Sequence, residues 1–290
     1  MRRPVAILFA AAGLLLAQAP PASGPLAKPL VYAGKPLPIT PNCRPEDLSA
    51  LGLSCSTEEP CRILLELTAA ETVGTRVLLI GNLHTSSVTL ESLLLASEDG
   101  ITWTEAYERI PAATLDQIQF LDFEAGWISG QVVTTLPRDP FFLISDNGGK
   151  SWHRHPVYRE PRAGLIESFW FESRKQGAMI IDRLQADENG IRYELHQSLT
   201  GGESWDLQRL SEKPIVLKHP PKTERSVRLQ ADSSSQTYQL QQRSGDNWKI
   251  VAAFAISAGE CRAPETQLVE PEPSPPPPDK PEPPKAGKKK

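Results

Sequence analysis

Ser145-Asp146-Asn147-Gly148-Gly149-Lys150-Ser151-Trp152 is a glycine turn set between the apolar run Pro140-Phe141-Phe142-Leu143-Ile144 and a tryptophan that opens a second strand. Phe and Ile favour strands, and Asn-Gly-Gly supplies the positive φ angles that a tight hairpin needs. Three further stretches align with it on a tryptophan: Ala96-Ser97-Glu98-Asp99-Gly100-Ile101-Thr102-Trp103, Ser198-Leu199-Thr200-Gly201-Gly202-Glu203-Ser204-Trp205 and Gln241-Gln242-Arg243-Ser244-Gly245-Asp246-Asn247-Trp248. In every unit a glycine stands three residues before the tryptophan, at Gly100, Gly149, Gly202 and Gly245. The tryptophans are 49, 53 and 43 residues apart. Short strands repeating at about 40–50 residues predict a β-propeller with one unit per blade.

The strand pattern between residues 62 and 262 falls into four sets, each of four strands. The first is expected at Ile63–Leu67, Arg76–Asn82, Ser92–Ser97 and Trp103–Arg109, and the fourth at Ile215–Lys218, Ser226–Gln230, Thr237–Gln241 and Trp248–Ile256. Four blades is a lower bound: the residues before Cys61 add strands to a blade or contribute to a fifth. Pro45–Leu51 is the one short helix candidate. The fold class is all-β.

The repeated turn resembles the Asp-box (BNR) repeat, Ser-x-Asp-x-Gly-x-Thr-Trp, the hairpin between the last two strands of a propeller blade in that family. Aligned at fixed spacing, the Asp position holds Glu98, Asn147, Thr200 and Arg243. Ahead of the second box, Phe120-Leu121-Asp122 leads to Gly126-Trp127-Ile128-Ser129-Gly130. This is similar to the GWxxG signature of Ycf48/HCF136-like photosystem II assembly-factor repeats. A faded copy, Phe169-Trp170-Phe171 with Gly177-Ala178, precedes the third box. The resemblance implies a binding or assembly scaffold for a protein or glycan partner rather than an enzyme. It also implies that Gly100, Trp103, Asn147, Gly149, Trp152, Gly202, Trp205, Gly245 and Trp248 are structural. A large aromatic beside a tight turn adds roughly 1.5–3 kcal/mol of burial.

Residues 1–24 read as a secretory signal peptide: Arg2 and Arg3, an apolar run from Val5 to Leu16, and Ala17-Gln18-Ala19 as a cleavage site. An exported chain with four cysteines is expected to hold two disulfides. Of the three connectivities, Cys55–Cys61 as a local staple and Cys43–Cys261 as a link between the ends of the propeller are favoured. Residues 25–61 are rich in proline and hold three of these cysteines. Residues 263–290, with Glu-Pro alternation, Pro275–Pro278 and a terminal Lys288-Lys289-Lys290, form a disordered tail suited to touching envelope polymers or an acidic surface.

A net charge of −4 with no basic patch interleaved with aromatics excludes a nucleic-acid partner. No cofactor motif is present, and the five histidines stand apart from the thiols. His153-x-His155 places two imidazoles on one strand face, short of a metal signature. The alternative to a scaffold is a sialidase-like glycoside hydrolase or carbohydrate-binding protein, whose relatives combine three arginines, a Tyr–Glu pair and an aspartate. Tyr107-Glu108-Arg109-Ile110-Pro111 carries their Arg-Ile-Pro triplet, but after the first box instead of before it. Asp122, Glu124 and Glu167 read as solvated strand-edge carboxylates.

Overall fold

The computed structural model describes residues 30–219 and 226–262; the expected signal peptide and proline-rich tail lie outside the described residues. The chain forms four antiparallel sheets arranged like propeller blades. The first holds β1 (Cys61–Val73), β2 (Arg76–His84), β3 (Thr89–Ser97) and β4 (Thr104–Glu105). The second holds β5 (Ala113–Phe120), β6 (Gly126–Val133), β7 (Pro137–Ser145) and β8 (His153–Pro156). The third holds β9 (Leu165–Phe171), β10 (Gly177–Asp182), β11 (Tyr193–Ser198) and β12 (Asp206–Ser211). The fourth holds β13 (Val227–Asp232), β14 (Thr237–Ser244) and β15 (Asn247–Ala255), and a last strand, β16 (Ser257–Cys261), returns to pair with β1.

Sandwiching the first and second sheets between neighbours explains their continuous apolar strands, because both faces are buried. In β2, Val77 and Leu79 point into a cluster shared with Leu240 and Phe254 of the fourth sheet. Leu78 and Ile80, on the other face, join Ile128, Phe141 and Trp152 of the second sheet. A third cluster joins the second and third sheets through Trp127, Phe142, Phe171 and Met179.

The chain ends are tied at the first sheet. Cys43 is bonded to Cys261 and Cys55 to Cys61. The segment before the short helix α1 (Pro45–Ala50) lies along the fourth sheet, where the Leu37 amide donates to the Ala253 carbonyl at 2.8 Å and the Ala255 amide to Leu37 at 3.1 Å. Residues ahead of Cys61 thus extend the fourth sheet at its β15 edge.

Two strands expected from the sequence differ. The stretch Trp103–Arg109 forms a strand only at Thr104 and Glu105, with the Ala106 amide donating to Leu94 at 2.9 Å; the chain then leaves β3 and rejoins it further along, where the Ser92 amide donates to Ile110 at 3.0 Å and the Ala112 amide to Leu90 at 2.7 Å. Ile215–Lys218 joins no sheet: Ile215 and Leu217 pack instead on Ile180, Tyr193 and Leu195 of the third sheet. Among the described residues no apolar cluster joins the third sheet to the fourth, and none of these residues closes the ring between them. No helix among the described residues is long and apolar enough to cross a membrane.

Candidate functional site

The first three repeated turns share one hydrogen-bond plan. Ser97, Ser145 and Ser198 each accept, through Oγ, the amide of Gly100, Gly149 and Gly202, at 2.9 Å in every case. A second acceptor gathers the following amides: Asp99 Oδ1 takes Ile101 and Thr102 at 2.8 and 2.7 Å, Asn147 Oδ1 takes Lys150 and Ser151 at 3.1 and 3.0 Å, and Thr200 Oγ1 takes Ser204 at 2.9 Å. In the first turn the acceptor is therefore Asp99, not Glu98, because that turn is one residue shorter between serine and glycine. These amides hold the Asp99 carboxyl below its ordinary range. Trp103 and Trp205 close their turns by donating to Gly100 and Gly202 at 3.0 and 3.1 Å, whereas the buried Trp152 indole N–H has no partner. The fourth turn is built differently: Ser244 opposes Asn247 across a two-residue hairpin, and Trp248 packs beneath Arg228 at 4.3 Å. With Arg243 in place of a short acceptor, the amide-gathering plan has no side chain to carry it.

The Gly126–Gly130 stretch is β6 up to its bulge. Trp127 stacks on Phe171 at 4.0 Å and donates to the Gly201 carbonyl at 2.7 Å, so it joins the second sheet to the third repeated turn. A Cβ at Gly126 would lie 2.4 Å from the Phe120 ring, and one at Gly177 2.4 Å from the Phe171 ring; the faded copy keeps the same close approach.

Functional candidates concentrate on the inner strands β1, β5 and β9. Each carries one residue skipped in its pairing with the next strand: Thr68, Asp116 and Glu167. Such bulges turn a side chain out of the ladder and recur beside functional sites. Thr68 donates to the Leu115 carbonyl at 2.7 Å, and Gln117 donates to the Glu167 carbonyl at 2.9 Å, which locks the three strands side by side. Around them Glu66 accepts from Asn82 at 3.1 Å and the half-buried Asp116 accepts from Thr114 at 3.3 Å. Burial pushes the Asp116 carboxyl up to about 6; Thr114 and Gln131 oppose the shift and the Glu66 charge adds to it. Gln131 beside it is 7 % exposed, and its Oε1 has no partner. Burial and then the Asp182 charge push the Glu167 carboxyl up, against the pull of Arg192. Glu66, Thr68 and Glu167 are exposed, so this wall is open to solvent.

The other charged candidates are engaged internally. Arg109, from the Arg-Ile-Pro triplet, donates to Glu91 at 2.6 Å, Glu105 at 2.7 Å and the Thr40 carbonyl at 2.8 Å. Asp122 and Glu124 sit in the β5–β6 turn, not on a strand face, and Arg174 pairs with both at 2.8 and 2.6 Å. A Tyr–Glu pair with arginines does exist: Glu194, 2 % exposed, accepts from Tyr158 at 3.1 Å, from His196 at 2.8 Å and from Arg162, with Arg183 at 3.4 Å. It lies on β11, two strands away from the inner wall, and burial together with the Glu194 charge pushes the Tyr158 hydroxyl well above its ordinary value. His153 and His155 fall on the outer strand β8, and among the described residues no group of three His, Cys, Asp or Glu side chains is placed to hold a metal ion. The bulges were invisible to sequence reasoning, since a skipped residue is defined by its partner strand.

No protein-family model matches the chain, and no curated protein sequence does. Among solved structures, one titled "YCF48 bound to D1 peptide" is similar over 60% of this chain and 50% of its own, at 17% identity and a TM-score of 0.34. The alpha-L-arabinanase of Penicillium chrysogenum complexed with arabinobiose is similar over 68% of this chain and 62% of its own, at 12% identity and a TM-score of 0.30. The chain thus spans half of the first of these proteins and under two thirds of the second. Sheet order and blade packing, not these likenesses, define the fold.

Proposed function

We propose that this chain is an exported, non-enzymatic Asp-box propeller that holds a protein or glycan partner on its inner-strand wall. The observation that carries the reading is the row of bulged residues Thr68, Asp116 and Glu167, which sets polar side chains on one solvent-open wall. The arginines that a sialidase would aim at a substrate carboxylate are instead bonded to Glu91, Glu105, Asp122, Glu124 and Glu194. Two disulfides fit an oxidising compartment. The test is photo-cross-linking from position 68 in the native host. A discrete adduct lost in the Glu66→Gln/Asp116→Asn/Glu167→Gln variant supports the reading; an identical adduct in that variant removes the wall from it.

One observation favours a second reading, glycoside cleavage. A carboxyl held at about 6 beside a second carboxylate is the pairing that glycosidases use, one as acid and one as base or nucleophile. Asp116 would then be the proton donor and Glu66 its ionised partner. Turnover of aryl glycosides with a bell-shaped pH profile, abolished by Asp116→Asn, would establish it.

A further inference from the structure

The sector between the third and fourth sheets holds a stretch that is paired into neither sheet. Pro214 to His219 crosses the face of the third sheet that is turned away from the second, with Ile215 buried, Val216 83 % exposed and Leu217 half-buried. That alternation is the period of extended chain. Yet the backbone amides and carbonyls of Ile215, Val216, Leu217 and Lys218 meet no hydrogen-bond partner among the described residues. A strand already docked through alternate side chains, with its backbone groups unpaired, is a template for strand addition.

The next surface in ring order is likewise uncovered by the described residues. On the fourth sheet the face opposite Val227, Leu240 and Phe254 presents exposed Arg228 and Gln230, Trp248 packed beneath Arg228, and Ile250, which is 40 % exposed. In every other blade both faces are buried by neighbours or strands, so this pair of faces is where a further strand belongs.

Charge narrows the occupant. Lys213 and Lys218 flank this stretch and make no ion pair among the described residues, and Arg228 on the facing sheet donates to the neutral Gln241 at 2.8 Å. The neighbouring acid Glu212 lies against Gly190 instead. We infer that Ile215–Lys218 pairs by β-augmentation with an extended, acidic segment of a partner protein, which inserts between the third and fourth sheets. Its apolar residues would alternate with carboxylates: the former beside Val216 and Ile250, the latter towards Lys213, Lys218 and Arg228. This site is separate from the inner-strand wall and stands whether or not that wall binds anything.

The test uses the full chain and two fluorescein-labelled peptides of about eight residues, a usual strand length. One alternates valine with glutamate and the other alternates valine with lysine. The expected result is that the glutamate peptide binds, the lysine peptide does not, and binding slows amide exchange at Val216, Leu217 and Lys218. Val216→Pro should weaken binding by about tenfold or more without unfolding the chain, since that amide has no bond among the described residues to lose. Lys213→Glu/Lys218→Glu should reverse the peptide preference, and it tests the same site if the proline variant folds poorly. Failure of both peptides to bind at about 1 mM overturns the proposal, as does equal binding by the Val216→Pro variant. Concentration-dependent dimers that protect the same amides without peptide also overturn it, because the occupant is then a second copy.

Discussion

The Trp127 indole N–H donates to the Gly201 carbonyl at 2.7 Å, so the tryptophan of one repeat's β6 strand grips the box turn of the next repeat. Two motifs that look like separate punctuation in the chain are halves of one contact. Trp127→Phe keeps the stack on Phe171 and leaves Gly201 without its donor, at an expected cost of about 1–3 kcal/mol. Trp127→Ala also empties the space and should cost about 3–5 kcal/mol. Urea unfolding midpoints of the two variants separate the hydrogen bond from the packing.

Gly149 and Gly245 occupy equivalent places in the sequence repeat and unlike places in the structure. Both have positive φ, +75° and +64°, so alanine at either should cost roughly 1–2 kcal/mol of backbone strain. At Gly149 a Cβ would also meet Leu78 Cδ1 at 2.9 Å and Trp152 Cζ2 at 3.2 Å, whereas at Gly245 it meets nothing within 4 Å. Gly149→Ala should therefore be the worse by roughly 1–3 kcal/mol of overpacking. Equal losses of thermal stability would show that the second turn is not wedged between sheets.

Arg109 holds two carboxylates and the Thr40 carbonyl, and Glu91 is buried beneath it. Arg109→Gln leaves that carboxylate in a low-dielectric site with only Asn42 for company, at an expected loss of about 3–5 kcal/mol. Adding Glu91→Gln should restore part of the loss. A double-mutant cycle by chemical denaturation checks the sign.

Asp116 sets a pH dependence opposite to that of most surface carboxylates. Burial holds its carboxyl at about 6, above the ordinary value of 3.8, so in this interval the folded protein keeps a proton that the unfolded chain releases. Its contribution to stability is complete below the lower value, falls as pH rises, and is gone above about 6. Asp116→Asn should flatten the fall in stability between about pH 4 and pH 7, read from urea midpoints across that range. Asp122 and Asp182, held low by their arginines and nearby amides, act in another window and lose their stabilising effect only as pH drops below the ordinary aspartate range.

The Gly–Trp period was legible because a tight turn and a large aromatic are fixed by local chemistry. The acceptor Asp99 was not: fixed-spacing alignment points to Glu98, while the first turn closes one residue earlier and uses the neighbouring carboxylate. Ile215–Lys218 reads as a strand of the fourth set but joins no sheet; alternation of apolar residues does not say which sheet they face. The bulges at Thr68, Asp116 and Glu167 depend on register with β2, β6 and β10, and register is a property of strand pairs. Glu194 looks like any surface acid until Tyr158 and Arg162, from the linker between the second and third sheets, are laid over it.

The pairing of β16 with β1 also orders events in time. Cys61 and Cys261 sit opposite each other in that ladder, two hundred residues apart in the chain, and the Cys43 thiol waits for the same cysteine. A polypeptide emerging from its amino end presents β1 with its first residues unpaired along one edge until the final strand arrives. Contacts of such sequence separation form slowly and leave sticky edges exposed in the meantime. Early termination between Cys61 and Cys261 therefore yields a chain with an unfinished first sheet and an odd number of thiols, so that one is left without a partner.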